Sequence, residues 1–115
     1  MSLELYGIPN CDTVKKARKW LEERGLDYTF HDYKKEGADA GKLREWAKAA
    51  GWETVLNRAG TTFRKLPEED RANLDAAKAV RIMEANPSCI KRPVVEHDGG
   101  LLVGFKQAEW EAALS

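Results

Sequence analysis

The chain has 115 residues, enough for one domain with one modest core. Lysine plus arginine number 19 and aspartate plus glutamate 19, so no overall field draws it to nucleic acid or a membrane surface. No stretch reaches the roughly 18 apolar residues of a spanning helix. Residues Met1 to Leu5 show neither region of a signal peptide, and the 2 cysteines form no disulfide framework, so a reducing, cytoplasmic setting is expected.

Leu3 to Tyr6 alternates as a short strand does. From Asp12 to Arg24 the period is helical, with Val14, Ala17 and Leu21 on one face and Gly25 placed as a left-handed stop. Tyr28 to Tyr33 alternates aromatic and polar residues, as a second strand would. Strand, helix and strand with short links predict a parallel pair and a right-handed crossover.

Asp32 to Asp39 reads as a polar loop. Leu43, Trp46, Ala47 and Ala50 mark a helix that Gly51 ends, while Trp52 to Arg58 fits no single pattern. Gly60-Thr61-Thr62 reads as a turn, and Leu66-Pro67-Glu68-Glu69-Asp70 opens a short helix. Ala76, Ala79, Val80 and Met83 predict another helix, stopped by Asn86-Pro87. Residues 39–87 thus form a helical insert. Arg92 to His97 reads as a strand, Asp98-Gly99-Gly100 as a hairpin turn and Leu101 to Gly104 as the return strand. Lys106 to Leu114 closes as a helix with Trp110, Ala113 and Leu114 inward. The order βαβ, insert, ββα predicts an α/β protein: one small mixed sheet with helices around it.

One cysteine stands apart. Cys11, in Tyr6-Gly7-Ile8-Pro9-Asn10-Cys11-Asp12-Thr13, falls between a strand end and a helix start. There, free backbone N–H groups and the positive end of the helix dipole favour an anion such as a thiolate, the nucleophilic form of cysteine. Thr13 or the first amides of the helix can donate to the sulfur. Arg92, before a proline at a strand start, carries a donor fork suited to a carboxylate or oxyanion. Cys89 reads as a packing residue. His31 and His97 lie in strand patterns without metal-ligand spacing, and neither is expected near the sheet end that bears Cys11. The tryptophans at 20, 46, 52 and 110 read mostly as core.

These motifs, with Arg58, Asn86-Pro87-Ser88-Cys89-Ile90-Lys91-Arg92-Pro93 and Val103-Gly104-Phe105, resemble the arsenate-reductase (ArsC) family of the thioredoxin fold. That family includes Spx regulators and YffB-like reductases. The resemblance makes Cys11 catalytic, Arg58 and Arg92 anion-binding, and Pro93 the residue after a cis bond beside the cysteine. Arsenate reductases of the family carry a third arginine beyond the position of Arg92, where this chain offers Lys106. Redox-switching Spx proteins carry a C-x-x-C pair, where this chain has Val14. Both departures point to the YffB-like branch. The resemblance therefore implies a thiol reductase with glutathione as co-substrate, no bound cofactor, and an oxidised small molecule or protein thiol as partner. Asn10, Thr13, Arg58, Arg92, Pro93 and Lys106 would contact substrate or glutathione. A monomer without nucleic-acid or membrane partners is expected. The other readings are an Spx-like regulator bound to RNA polymerase and an arsenate reductase.

Overall fold

The computed structural model describes residues 3–37, 39–97 and 100–114, with Lys34 described by its backbone alone. The chain divides into two compact units, Met1–Glu36 with Arg92–Ser115, and Gly37–Lys91.

The first unit holds a four-stranded sheet of order β2-β1-β3-β4. Strand β1 (Leu3–Gly7) runs parallel to β2 (Tyr28–Asp32) and antiparallel to β3 (Val94–His97), and β3 pairs antiparallel with β4 (Gly100–Val103). The mixed sheet is the one the sequence predicts. Alternation decides its faces: Leu3 and Leu5 of β1, Val95 of β3 and Leu102 of β4 join Val14, Ala17, Trp20 and Leu21 of α1 (Asp12–Glu23) and Trp110 of α8 (Gln107–Leu114) in one core. Trp110 is fully buried, its ring edge-on to Phe105 at 4.8 Å and to Trp20 at 5.8 Å. Arg24 is the C-cap of α1, and Gly25 takes the left-handed φ of 68°.

Two readings need correction here. Tyr33–Glu36 is not loop but a one-turn helix, α2, because Tyr33 buries its ring while Lys35 and Glu36 stay exposed. In α8, Ala113 is exposed; Leu114, four residues after Trp110, is the one packed on the core, since the i+4 step follows the contact face. Of the expected hairpin turn, Asp98 and Gly99 lie outside the described residues; β4 begins at Gly100.

The second unit is helical. Helix α3 (Ala40–Ala50) is capped by the Asp39 carboxylate on the Lys42 N–H at 2.9 Å, and α7 (Ala76–Ala85) by Asp75 on the Lys78 N–H at 2.8 Å. Leu43, Trp46 and Ala47 of α3 and Ala79, Val80, Ile82 and Met83 of α7 are buried. The ambiguous stretch resolves into one turn, α4 (Trp52–Val55), then a bridge of Leu56 to Ile90. Gly60-Thr61-Thr62 is not a free turn: Gly60 caps the one-turn α5 (Thr61–Arg64), which Phe63 anchors by burial. The predicted short helix is α6 (Glu68–Arg71), and a 3-10 turn, Pro87–Cys89, follows α7.

Candidate active site

Strand register collects the chemistry at one end of the sheet. Strand β1 ends at Gly7, and Cys11 follows after the exposed turn residues Pro9 and Asn10. Tyr6 pairs with Val94, so Arg92 and Pro93 enter β3 at that same end. Val94 pairs with Val103, and the Gly104 N–H donates to the Pro93 carbonyl at 2.8 Å, so Phe105 and Lys106 also leave the sheet there. Cys11, Asn10, Thr13, Arg92, Pro93 and Lys106 therefore share one end of the first unit.

Cys11 is the N-cap residue of α1, in extended conformation (φ −98°, ψ 125°), and its carbonyl accepts the Lys15 N–H at 2.9 Å. Its side chain makes no capping bond, which leaves the sulfur available to solvent and to the first-turn amides. The residue is half-buried, one side packed on the core, with Asn10, Asp12 and Thr13 exposed around it. Neither cysteine is in a disulfide.

The Arg92–Pro93 peptide bond is cis, as the resemblance implies, and Pro93 is fully buried. Arg92 is half-buried and its charge acts on Tyr33. Burial pushes the Tyr33 phenol well above its ordinary value, and the Arg92 guanidinium pulls the other way. Sequence reading missed this companion of Arg92, because Tyr33 fell where the strand Tyr28 to Tyr33 overlaps the polar loop read from Asp32. Lys106 is exposed, its Nζ 3.6 Å from Glu109. The helix behind it is pinned by the Trp110 Nε1–H, which donates to the Gly104 carbonyl at 3.0 Å.

His31 departs from expectation. It pairs with Tyr6, one position before the β2 end, and so lies toward the end that carries Cys11, on the opposite face of the sheet from α1. Its ring stacks on Tyr6 at 4.5 Å, with Nε2 2.9 Å from Glu4 and Nδ1 3.2 Å from Glu36. The Tyr6 hydroxyl donates to Glu96 at 3.0 Å.

In the second unit Arg58 is exposed, its guanidinium 5.6 Å from the centre of the Trp52 ring. Cys89 is 1% exposed, and burial pushes its thiol up, which fits packing rather than nucleophilic work.

A family model described as the ArsC family matches residues 6–113. A solved structure of a protein named YFFB is 58% identical to this chain, covers 98% of it and 99% of its own length, and superposes with a TM-score of 0.95. An arsenate reductase (ArsC) related protein from Brucella melitensis is 63% identical over 100% of this chain and 96% of its own, at a TM-score of 0.77. The global transcriptional regulator Spx of Listeria innocua is 27% identical over 91% of this chain and 81% of its own. The sheet and its helices have the thioredoxin-like arrangement.

Proposed function

The chain belongs to the ArsC family, and from that premise we propose that it is a glutathione-dependent thiol reductase acting through Cys11 alone. The observation that carries this reading is the placing of an accessible, unpaired thiol at the N-terminus of α1, with a half-buried arginine at the same sheet end. In the first step the Cys11 thiolate attacks a mixed disulfide of glutathione. The old S–S bond breaks, the Cys11–glutathione disulfide forms, and the substrate leaves as a thiolate that takes a proton. A second glutathione then attacks the glutathione sulfur, releasing oxidised glutathione and restoring Cys11. Val14 stands three residues after Cys11, so the same turn offers no resolving thiol.

Arg92, with its planar donor fork, would hold a glutathione carboxylate; Asn10 and Thr13, exposed beside the sulfur, would line the approach. For Arg58, Arg58→Gln tests separately the anion contact that the resemblance implies. The reaction needs a reducing compartment. Incubation with oxidised glutathione should add one glutathionyl group, located on Cys11 by mass spectrometry and absent from Cys11→Ser. Failure to form that adduct overturns the reading.

A second reading rests on the Spx relative: a regulator that binds RNA polymerase without turnover. Retention of the chain on purified polymerase, together with no adduct on Cys11, would favour it.

A further inference from the structure

The exposed face of α1 beside Cys11 carries Lys15, Lys16 and Lys19. We propose that this face docks an acidic polypeptide and presents that partner's oxidised sulfur to Cys11. The inference names the substrate class for the thiol chemistry above and rests on Cys11 being the nucleophile.

Three nearby basic side chains are already engaged. Arg18, in the same run, lies over the Phe30 ring at 4.3 Å and donates from Nε to the Tyr28 hydroxyl at 3.0 Å. That hydroxyl donates to Glu22 at 2.6 Å. Arg24 pairs with Glu111 at 2.7 Å and Lys106 with Glu109. Asp12 and Glu23 stand at helical spacing from Lys16 and Lys19. Yet among the described residues no carboxylate lies within ion-pair distance of the three ammonium groups.

Their order along the helix is also not what helix stability asks for. A helix is stabilised by acids in its first turn and bases in its last. Here the first turn does hold an acid, Asp12, but the basic run from Lys15 to Lys19 precedes the acids Glu22 and Glu23, and the last turn has no basic residue. Lys15 and Lys19 further form a like-charge pair at i,i+4, which weakens a helix. Three exposed ammonium groups gathered on one helix face beside Cys11, in a chain of net charge +0, suit an anionic partner.

Geometry narrows the partner. Lys15 and Lys19 follow Cys11 by one and two turns on the same side, about 6 and 12 Å along the axis at roughly 1.5 Å per residue. That span exceeds one carboxylate and suits several acidic side chains flanking a sulfur. A nucleic acid matches the charge but brings no sulfur to Cys11. The step is an exchange: Cys11 attacks the partner's sulfur in a mixed disulfide, the original S–S bond breaks, and the leaving thiolate departs while the Cys11–partner bond forms.

The test uses two peptides that differ only in glutamates or lysines around one cysteine, each as a mixed disulfide with thionitrobenzoate. Release of the coloured thiolate gives the rate, and no glutathione is present, so the glutathione reading can fail independently. The acidic peptide should react about tenfold faster than the basic one at low ionic strength. High salt should shrink the difference to about twofold, as the screening length falls to about 3 Å. Lys15→Gln/Lys16→Gln/Lys19→Gln should abolish the preference, while iodoacetamide alkylation of Cys11 stays within about twofold, showing an intact fold and thiol. Equal rates for the two peptides, or a preference that survives the triple substitution, overturn the proposal. Retention of an oligonucleotide that the triple variant loses, without any peptide preference, overturns it in favour of nucleic acid.

Discussion

Gly7 and Val14 meet at the junction of β1 and α1: a Cβ on Gly7 would lie 2.9 Å from Cγ2 of Val14, closer than side chains tolerate. Val14 is fully buried and one turn from Cys11, so the missing methyl group lets the first turn of α1 settle onto the strand end. Gly7→Ala should cost about 1–3 kcal/mol, the range for overpacking, and slow Cys11 alkylation in the folded protein. Adding Val14→Ala should restore the alkylation rate even where stability stays low. Urea titration beside alkylation kinetics separates the two effects. No loss of stability in Gly7→Ala would show that the contact relaxes freely.

His31 presents both ring nitrogens to acceptors, Glu4 and Glu36, and only the imidazolium donates to both at once. Burial opposes that form, but the two carboxylates outweigh it, so the pKa is raised above 6.5. Stability from this clamp is complete below 6.5 and is lost as pH rises through the raised value. The urea midpoint of the native chain, compared with His31→Gln, should show an advantage at pH 5.5 to 6.5 that shrinks toward pH 8.5. An advantage that grows with pH would contradict the geometry.

Cys89 should be dispensable for chemistry. Its thiol is buried and the chain places it in the helical segment. Cys89→Ser puts a hydroxyl into an apolar site, at about 1–3 kcal/mol, and should keep glutathione-dependent turnover per folded molecule. Thermal melts and turnover on the same sample decide it. A folded but inactive Cys89→Ser would point to a relay between two cysteines.

Arg92 and Lys106 differ in setting as well as chemistry. Arg92 is half-buried at the β3 entry, whereas Lys106 is exposed and paired with Glu109. Arg92→Gln should raise KM for glutathione about 10- to 100-fold, the loss of a charge-assisted bond worth about 1.5–3 kcal/mol. Lys106→Gln should change it by less than about threefold, as expected for an exposed charge. Steady-state kinetics with a glutathionylated substrate provide the check, and equal effects would remove the distinction.

Strands and long helices were legible because one face of each is buried within its own unit. Leu3 and Leu5, or Val14, Ala17 and Leu21, write that face into the sequence as periods of 2 and 3.6. Cys11 was legible for a related reason: a strand end, a turn and a helix start are all local signals. The one-turn helices α2, α4 and α5 were not, since four residues hold too little period to tell a turn of helix from a bend, and each is fixed by one buried side chain: Tyr33, Val55 and Phe63. The neighbours of His31 escaped as well. Glu4 lies on the adjacent strand, so the contact depends on register rather than on nearby sequence.

The order of strands sets a schedule for synthesis. Strand β1 finds its antiparallel partner only in β3, and the hydrogen bond from Tyr6 to Glu96 spans 90 residues. The segment Gly37–Lys91 is continuous in sequence, so all of its parts are made before β3. The unit that bears Cys11 is split: a nascent chain stopped at Lys91 has β1, α1 and β2 but no third strand to complete the sheet. Cys11 is therefore synthesised well before the strands that complete the sheet beside it.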